Sequence, residues 1–110
     1  MAKKILSRKE ITDLTKIAVK EARKDKIFVS EVYLFGSYAK NKAKTKSDLD
    51  LCFVFSKKID PPKTTAIIRT KFYRILEGIS MDILAYSKKD FKDALNPLAF
   101  EIRTTGKRIL

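Results

Sequence analysis

The sequence predicts an α/β (α+β) fold, a small mixed β-sheet of three to four strands with helices packed on it. Three observations lead there. Residues 48–55, "DLDLCFVF", are apolar at nearly every position after two aspartates, the pattern of a central strand covered on both faces. Residues 27–35 and 80–87 are shorter runs rich in β-branched and aromatic residues. Between and around these runs lie stretches of helical periodicity with recognisable caps. A chain of 110 residues is expected to form one domain spanning 1–110, and the sequence has no internal repeat or linker.

Taken in order, Ser7 and Glu10 read as a capping box, in which each side chain satisfies a free backbone N–H at a helix start. Ile11, Leu14, Ile17, Ala18 and Ala22 then recur at helical spacing, giving about four turns. "IFVSEVYLF" (27–35) is the first strand, ending where Gly36 permits an unusual turn, and "YAKNK" is short enough for one helical turn. After the central strand, Asp60 is an N-cap ahead of Pro61 and Pro62, whose missing N–H groups cost nothing in a first turn. Ile68, Phe72, Ile75, Leu76 and Ile79 form that helix's apolar stripe, with Gly78 marking its end. "SMDILAYS" (80–87) is the third strand. Ser87 and Asp90 resemble a second capping pair before residues 91–95. Asn96-Pro97 opens a last helix that Gly106 can close, and "KRIL" is a candidate final strand. Ile27, Val29, Val32, Leu34, Leu49, Leu51, Phe53, Val54, Ile83 and Leu84 are expected to be core.

Composition limits the chemistry. There is no histidine and one cysteine, Cys52, so zinc sites, Ser-His-Asp triads and an internal disulfide are excluded. Cys52 lies among apolar neighbours and reads as a small core residue. The apolar runs are too short to span a bilayer, and the N-terminal residues lack the apolar stretch of a signal peptide, so a cytoplasmic location without a membrane partner is expected. With 25 Lys+Arg against 13 Asp+Glu, the net charge of +12 favours a polyanionic partner. The lysines are spread along the whole chain, however, so a solvated basic surface explains them as well.

Against that basic background, "GSYAKNKAKTKSDLD" (36–50) places paired carboxylates behind a Gly-Ser turn and a ladder of Lys40, Lys42, Lys44 and Lys46. In a strand, Asp48 and Asp50 point to the same face with Cα atoms about 6.6 Å apart. Like charges at the start of an apolar strand are costly unless a cation joins them. Mg²⁺ suits a few carboxylates completed by waters and phosphate oxygens, and a pair of such ions is a common clamp for in-line attack at phosphorus. Asp82, near the start of the third strand, is the candidate third carboxylate and a candidate proton acceptor, provided that strand neighbours the central one. The alternative is that Asp48 caps a turn and that Asp50 and Asp82 are edge charges. Gly36 and Ser37, after a strand and before a helical turn, offer close backbone approach and N–H groups for phosphate oxygens. The lysine ladder borders the same cleft, where it would hold phosphates or an acceptor, or is simply solvated. Tyr33, Tyr38, Tyr73 and Tyr86 read as core or edge aromatics, with Tyr38 the one placed to stack on a base.

Gly36-Ser37, ten residues, then Asp48-Leu49-Asp50 resembles the signature of the DNA polymerase β-like nucleotidyltransferase superfamily, specifically its minimal nucleotidyltransferase (MNT) branch. Ala39, Ser47, "YLFGS" and the "MDIL" that carries Asp82 extend the resemblance over essentially the whole chain. The resemblance implies a polymerase β-like mixed sheet with helices, ATP as substrate and two Mg²⁺ ions. It places Gly36 and Ser37 on the β- and γ-phosphates, with Lys40 and Ser47 also at the nucleotide. It makes Asp48 and Asp50 ligands of both metals, and Asp82 the residue that completes the site and helps deprotonate the acceptor hydroxyl. One departure is Lys40-Asn41 where many members carry a glycine, and asparagine tolerates left-handed backbone better than other non-glycine residues. Stand-alone members of this branch are similar to antitoxins that transfer AMP from ATP to a tyrosine of a HEPN-domain ribonuclease toxin. That implies an adenylyltransferase antitoxin in complex with its toxin, together with self-association. Two other readings remain: a non-catalytic module that occludes the toxin, and transfer to RNA or to a small molecule such as an aminoglycoside.

Overall fold

A computed structural model describes residues 5–75 and 78–110 of the chain. Helix α1 (Arg8–Lys24) starts at the capping box: Ser7 Oγ accepts the Glu10 N–H at 3.1 Å, and the Glu10 carboxylate accepts the Ser7 N–H at 3.1 Å. Its buried residues are Ile11, Thr15, Ala18 and Ala22, whereas Ile17, expected inside, is exposed. Steps of four and three residues put Thr15 on the inner face, and its hydroxyl donates to the Ile11 carbonyl at 2.7 Å, which removes the cost of burying it.

Strand β1 (Glu31–Phe35) is shorter than the predicted 27–35. Lys26, at φ 61°, turns the chain just before, and residues 27–30 reach the sheet only through the Ser30 N–H on the Val54 carbonyl at 2.8 Å. Ile27 and Val29 are accordingly half-buried. One turn, α2 (Gly36–Ala39), leads toward the central strand β2 (Leu49–Phe55). Helix α3 (Pro61–Tyr73) is capped by Asp60, which accepts the Lys63 N–H at 3.3 Å. It stops at Tyr73, earlier than the predicted end, so Gly78 at φ 78° belongs to the following loop. Of the expected stripe, Ile68 and Phe72 are buried, Ile75 and Ile79 pack partly against the core beyond the helix, and Leu76 lies outside the described residues.

Strand β3 (Met81–Ser87) is followed by α4 (Lys88–Phe91), a single turn whose N-cap Ser87 accepts the Asp90 N–H at 3.1 Å. The helical segment expected over 91–95 after that capping pair does not form, since the turn ends at Phe91. The Asp93 side chain captures the Leu95 N–H at 2.9 Å and forms a turn, which leaves Leu95 89% exposed. Helix α5 (Pro97–Thr105) is capped by Asn96 and closed by Gly106, and β4 (Lys107–Arg108) returns antiparallel to β1.

The sheet order is β3-β2-β1-β4, with β1 antiparallel to both its neighbours and β2 parallel to β3. A parallel neighbour requires a crossover, which α3 supplies. One face carries Val32, Leu34, Leu49, Leu51, Phe53 and Ile83 in a cluster with Ile11, Ala18, Ile68 and Phe72 of α1 and α3. The opposite face carries Cys52 and Val54, with Leu84 and Tyr86 partly buried, beneath Phe91, Ala99 and Ile102 of α4 and α5. Full burial of side chains of the Phe53 or Leu51 class contributes about 1.5–3 kcal/mol each. Thus β2 is sandwiched as its continuous apolar run implies, and Asp50 and Asp82 alternate onto the α5 face. No helix among the described residues is long and apolar enough to cross a membrane.

Candidate active site

Pairing brings the two strand carboxylates together. Asp50, second in β2, and Asp82, second in β3, are register partners of the parallel pair, and Phe35, the last residue of β1, is opposite Asp50 on its other side. The chain then turns at Gly36, with φ 70°, directly over the Asp50 carboxylate. A Cβ at position 36 would fall on Asp50 Oδ2 and stand 3.0 Å from its Cγ. Glycine is required twice here, for the left-handed backbone and for the close approach.

Gly36, Lys40, Asp50 and Asp82 line a cleft of about 280 Å³, walled on the far side by Leu98, Glu101, Ile102 and Thr105 of α5. Glu101 was not anticipated from the sequence, because a glutamate on an amphipathic helix carries no signal until the topology lays that helix over the carboxylate face. Asp48 is exposed, one residue ahead of β2, and its charge still acts on Asp50. Burial first, then the charges of Asp82 and Asp48, push the Asp50 carboxyl up from 3.8 to about 6.

None of Asp48, Asp50, Asp82 and Glu101 has a hydrogen-bond or ion-pair partner for its side chain among the described residues, although the chain carries 25 Lys+Arg. Lys40 is the one basic residue among the described residues that line the cleft, while Arg69 donates to the Met81 carbonyl at 3.3 Å and Arg103 donates to the Phe91 carbonyl, lying over the Phe91 and Phe100 rings. Among the described residues no three acidic or cysteine side chains are gathered closely enough to hold a metal ion by themselves. Asp50, Asp82 and Glu101 line the cleft, and Asp48 lies outside its lining.

The Ser37 carbonyl accepts the Lys40 and Lys42 amides at 3.2 and 2.9 Å, and its hydroxyl has no partner among the described residues. Asn41 occupies left-handed backbone at φ 55°, the conformation anticipated for it. The Ser47 hydroxyl accepts the Lys44 N–H at 2.8 Å and closes the turn ahead of Asp48, outside the cleft lining. Of the lysine ladder, Lys40 lines the cleft, while Lys42, Lys44 and Lys46 are exposed away from it. Tyr38 is buried in the core and unavailable to stack on a base. Cys52 is fully buried, and burial pushes its thiol up to about 12, consistent with a packing role.

No curated protein matches the chain in sequence. Solved structures do match in fold. A mutant of the toxin-antitoxin MntA-HpeT is 18% identical, with TM-score 0.61 over 96% of this chain and 73% of that one. A toxin-antitoxin structure with AMP-PNP is 21% identical, with TM-score 0.62 over 84% of this chain and 70% of that one. A putative nucleotidyltransferase from Sulfolobus solfataricus is 25% identical, with TM-score 0.53 over 76% of this chain and 72% of that one. At the first two identities the likeness establishes the fold. The sequence itself matches the family described as "Polymerase beta, Nucleotidyltransferase" over residues 16–110, which span α2, all four strands and every carboxylate of the cleft. The chain belongs to the polymerase β nucleotidyltransferase family.

Proposed function

We propose that this domain transfers AMP from ATP to a hydroxyl, expected to be a tyrosine, of a cognate HEPN ribonuclease toxin, and so acts as its antitoxin. The observation that carries the reading is the pairing of Asp50 with Asp82 beneath Gly36, unneutralised in a strongly basic chain. The toxin-antitoxin setting and the AMP-PNP of the structural neighbours support the choice of partner and nucleotide.

The donor set fits Mg²⁺. Hard carboxylate oxygens without counter-ions among the described residues, one of them pushed up to about 6, favour a divalent cation that would take waters and phosphate oxygens as its remaining ligands. Asp48, Asp50 and Asp82 would hold the two ions. When bound, these supply positive charge to the triphosphate and acidity to the acceptor hydroxyl. Gly36 lets the turn lie directly against the Asp50 carboxylate, the unpartnered Ser37 hydroxyl donates to a phosphate oxygen, and Lys40 lines the same cleft. Asp82, the more exposed of the paired carboxylates, accepts the acceptor's proton. The acceptor oxygen bonds to the α-phosphorus, the bond from that phosphorus to the β-phosphate bridge breaks, and pyrophosphate leaves. Leu98 and Ile102 of α5 limit water on the acceptor side.

Labelled ATP, Mg²⁺ and the purified partner test this reading. Label is expected on the partner's tyrosine, and Asp48→Asn/Asp50→Asn is expected to lower transfer at least a hundredfold while the complex persists. Full neutralisation of the toxin by that double variant would replace this reading with stoichiometric occlusion, and labelled RNA would replace the acceptor.

A further inference from the structure

A second cavity, of about 400 Å³, opens at the other end of the sheet. Its apolar lining comes from Phe28, Phe55 and Ile59, and its cations are Lys26, Lys57 and Lys58. No carboxylate lines it, and none of the three lysines is ion-paired among the described residues. It is separate from the carboxylate cleft. Asp50 and Phe55 lie five positions apart on β2, about 16 Å, and alternate to opposite faces of the sheet.

Three details show that this cavity is more than a lysine-rich surface. Phe28 presents its ring at 59% exposure on the cavity wall. Lys26 occupies the left-handed position that ends α1, where the Ile27 N–H reaches back to the Ala22 carbonyl at 3.1 Å and the Lys26 N–H to the Arg23 carbonyl at 2.9 Å. Glycine is the residue that fits that position without strain, and here a lysine that lines the cavity holds it. Thr64, 8% exposed, lines the cavity with a hydroxyl that has no hydrogen-bond partner among the described residues. Every other threonine in the described helices donates to a carbonyl of the preceding turn. No fully buried side-chain oxygen among the described residues lacks a partner, so this hydroxyl is reached from solvent and is free to bond a ligand.

The geometry points to a nucleoside-phosphate site, with the base against Phe28 and the apolar floor, the phosphate among Lys26, Lys57 and Lys58, and a hydroxyl or phosphate oxygen at Thr64. The volume is that of a small-ligand pocket, and an aromatic wall beside cations is how proteins hold a base and its phosphate without reading sequence. A free mononucleotide and the end of a nucleic-acid chain share this chemistry. The site is independent of the transfer reaction proposed for the carboxylate cleft.

Amide chemical shifts of the full chain, titrated with AMP in metal-free buffer, test the site. Shifts are expected at residues 26–28, 56–59 and 64, with Kd raised at least tenfold by Lys57→Ala/Lys58→Ala and about fivefold or more by Phe28→Ala. Parallel titration with a 5′-phosphorylated oligoadenylate identifies the source: tighter binding at the same amides points to a nucleic-acid end, and equal binding to the free nucleotide. Shifts confined to the carboxylate cleft would overturn the proposal, as would unchanged affinity in both variants. So would inorganic phosphate or hexaglutamate binding at the same amides as tightly as AMP, because charge alone would then account for the site.

Discussion

Asp50 is overlaid by Gly36, whose Cα stands where any side chain would strike the Asp50 carboxylate. The same glycine is at φ 70°, so the two requirements fall on one residue. Gly36→Ala is therefore expected to cost about 2 kcal/mol or more of stability and to push the Asp50 carboxylate out of its place beneath the turn. Nucleotidyl transfer is expected to fall at least a hundredfold. Urea unfolding read alongside the transfer rate checks both, and wild-type activity in Gly36→Ala would show that the close approach is not needed.

Stability should depend on pH through Asp50. Its folded value of about 6 lies above the ordinary 3.8, so the folded chain holds this proton more tightly than the unfolded chain. The resulting stabilisation is fully present below about pH 4 and is lost as pH rises through 6. Because Asp50 is only half-buried, solvent screening reduces the effect to about 1 kcal/mol. Asp50→Asn is expected to raise stability by that amount near pH 7.5 and to leave it unchanged near pH 3.5. An equal effect at both values would show that Asp50 does not carry the strained charge.

Asn41 holds φ 55°, a backbone conformation that glycine adopts without strain. Asn41→Gly is expected to leave stability within a few tenths of a kcal/mol and to retain activity, whereas Asn41→Ala should cost about 1 kcal/mol. Denaturant midpoints of the two variants measure the difference, and equal midpoints would mean that the turn relaxes around alanine.

Phe72 of α3 meets Phe53 of β2 edge to face, ring centroids 6.2 Å apart, and both are fully buried. Phe72→Ala should cost about 3–5 kcal/mol by emptying that contact. Its midpoint shift should far exceed that of Leu95→Ala, where the side chain is almost wholly in solvent.

Much of this architecture is legible in the chain because it is written in local chemistry. Ser7 with Glu10, Asp60 before two prolines and Asn96 before Pro97 each mark a helix start that the structure reproduces, and the unbroken apolar run after Asp50 marks the strand with helices on both faces. Legibility fails where long-range packing decides. Ile17 is outside because the inner face runs through Thr15, whose hydroxyl is satisfied within the helix. The segment from Phe91 to Leu95 is not helical because the Asp93 carboxylate accepts the Leu95 N–H. In the cleft, Gly36, Asp50 and Asp82 came from a short spacing and one strand pairing, but Glu101 enters only through the placement of α5.

The central claim is that Asp48, Asp50 and Asp82 act together to hold divalent cations under Gly36. Mn²⁺ is the paramagnetic stand-in for Mg²⁺ that tests it most directly, through amide broadening in the full chain. The account predicts broadening centred on residues 36, 48–50 and 82, absent from residues 26–28 and 56–59, and lost in Asp50→Asn. Broadening spread evenly over the exposed acids, or unchanged in Asp50→Asn, would contradict it.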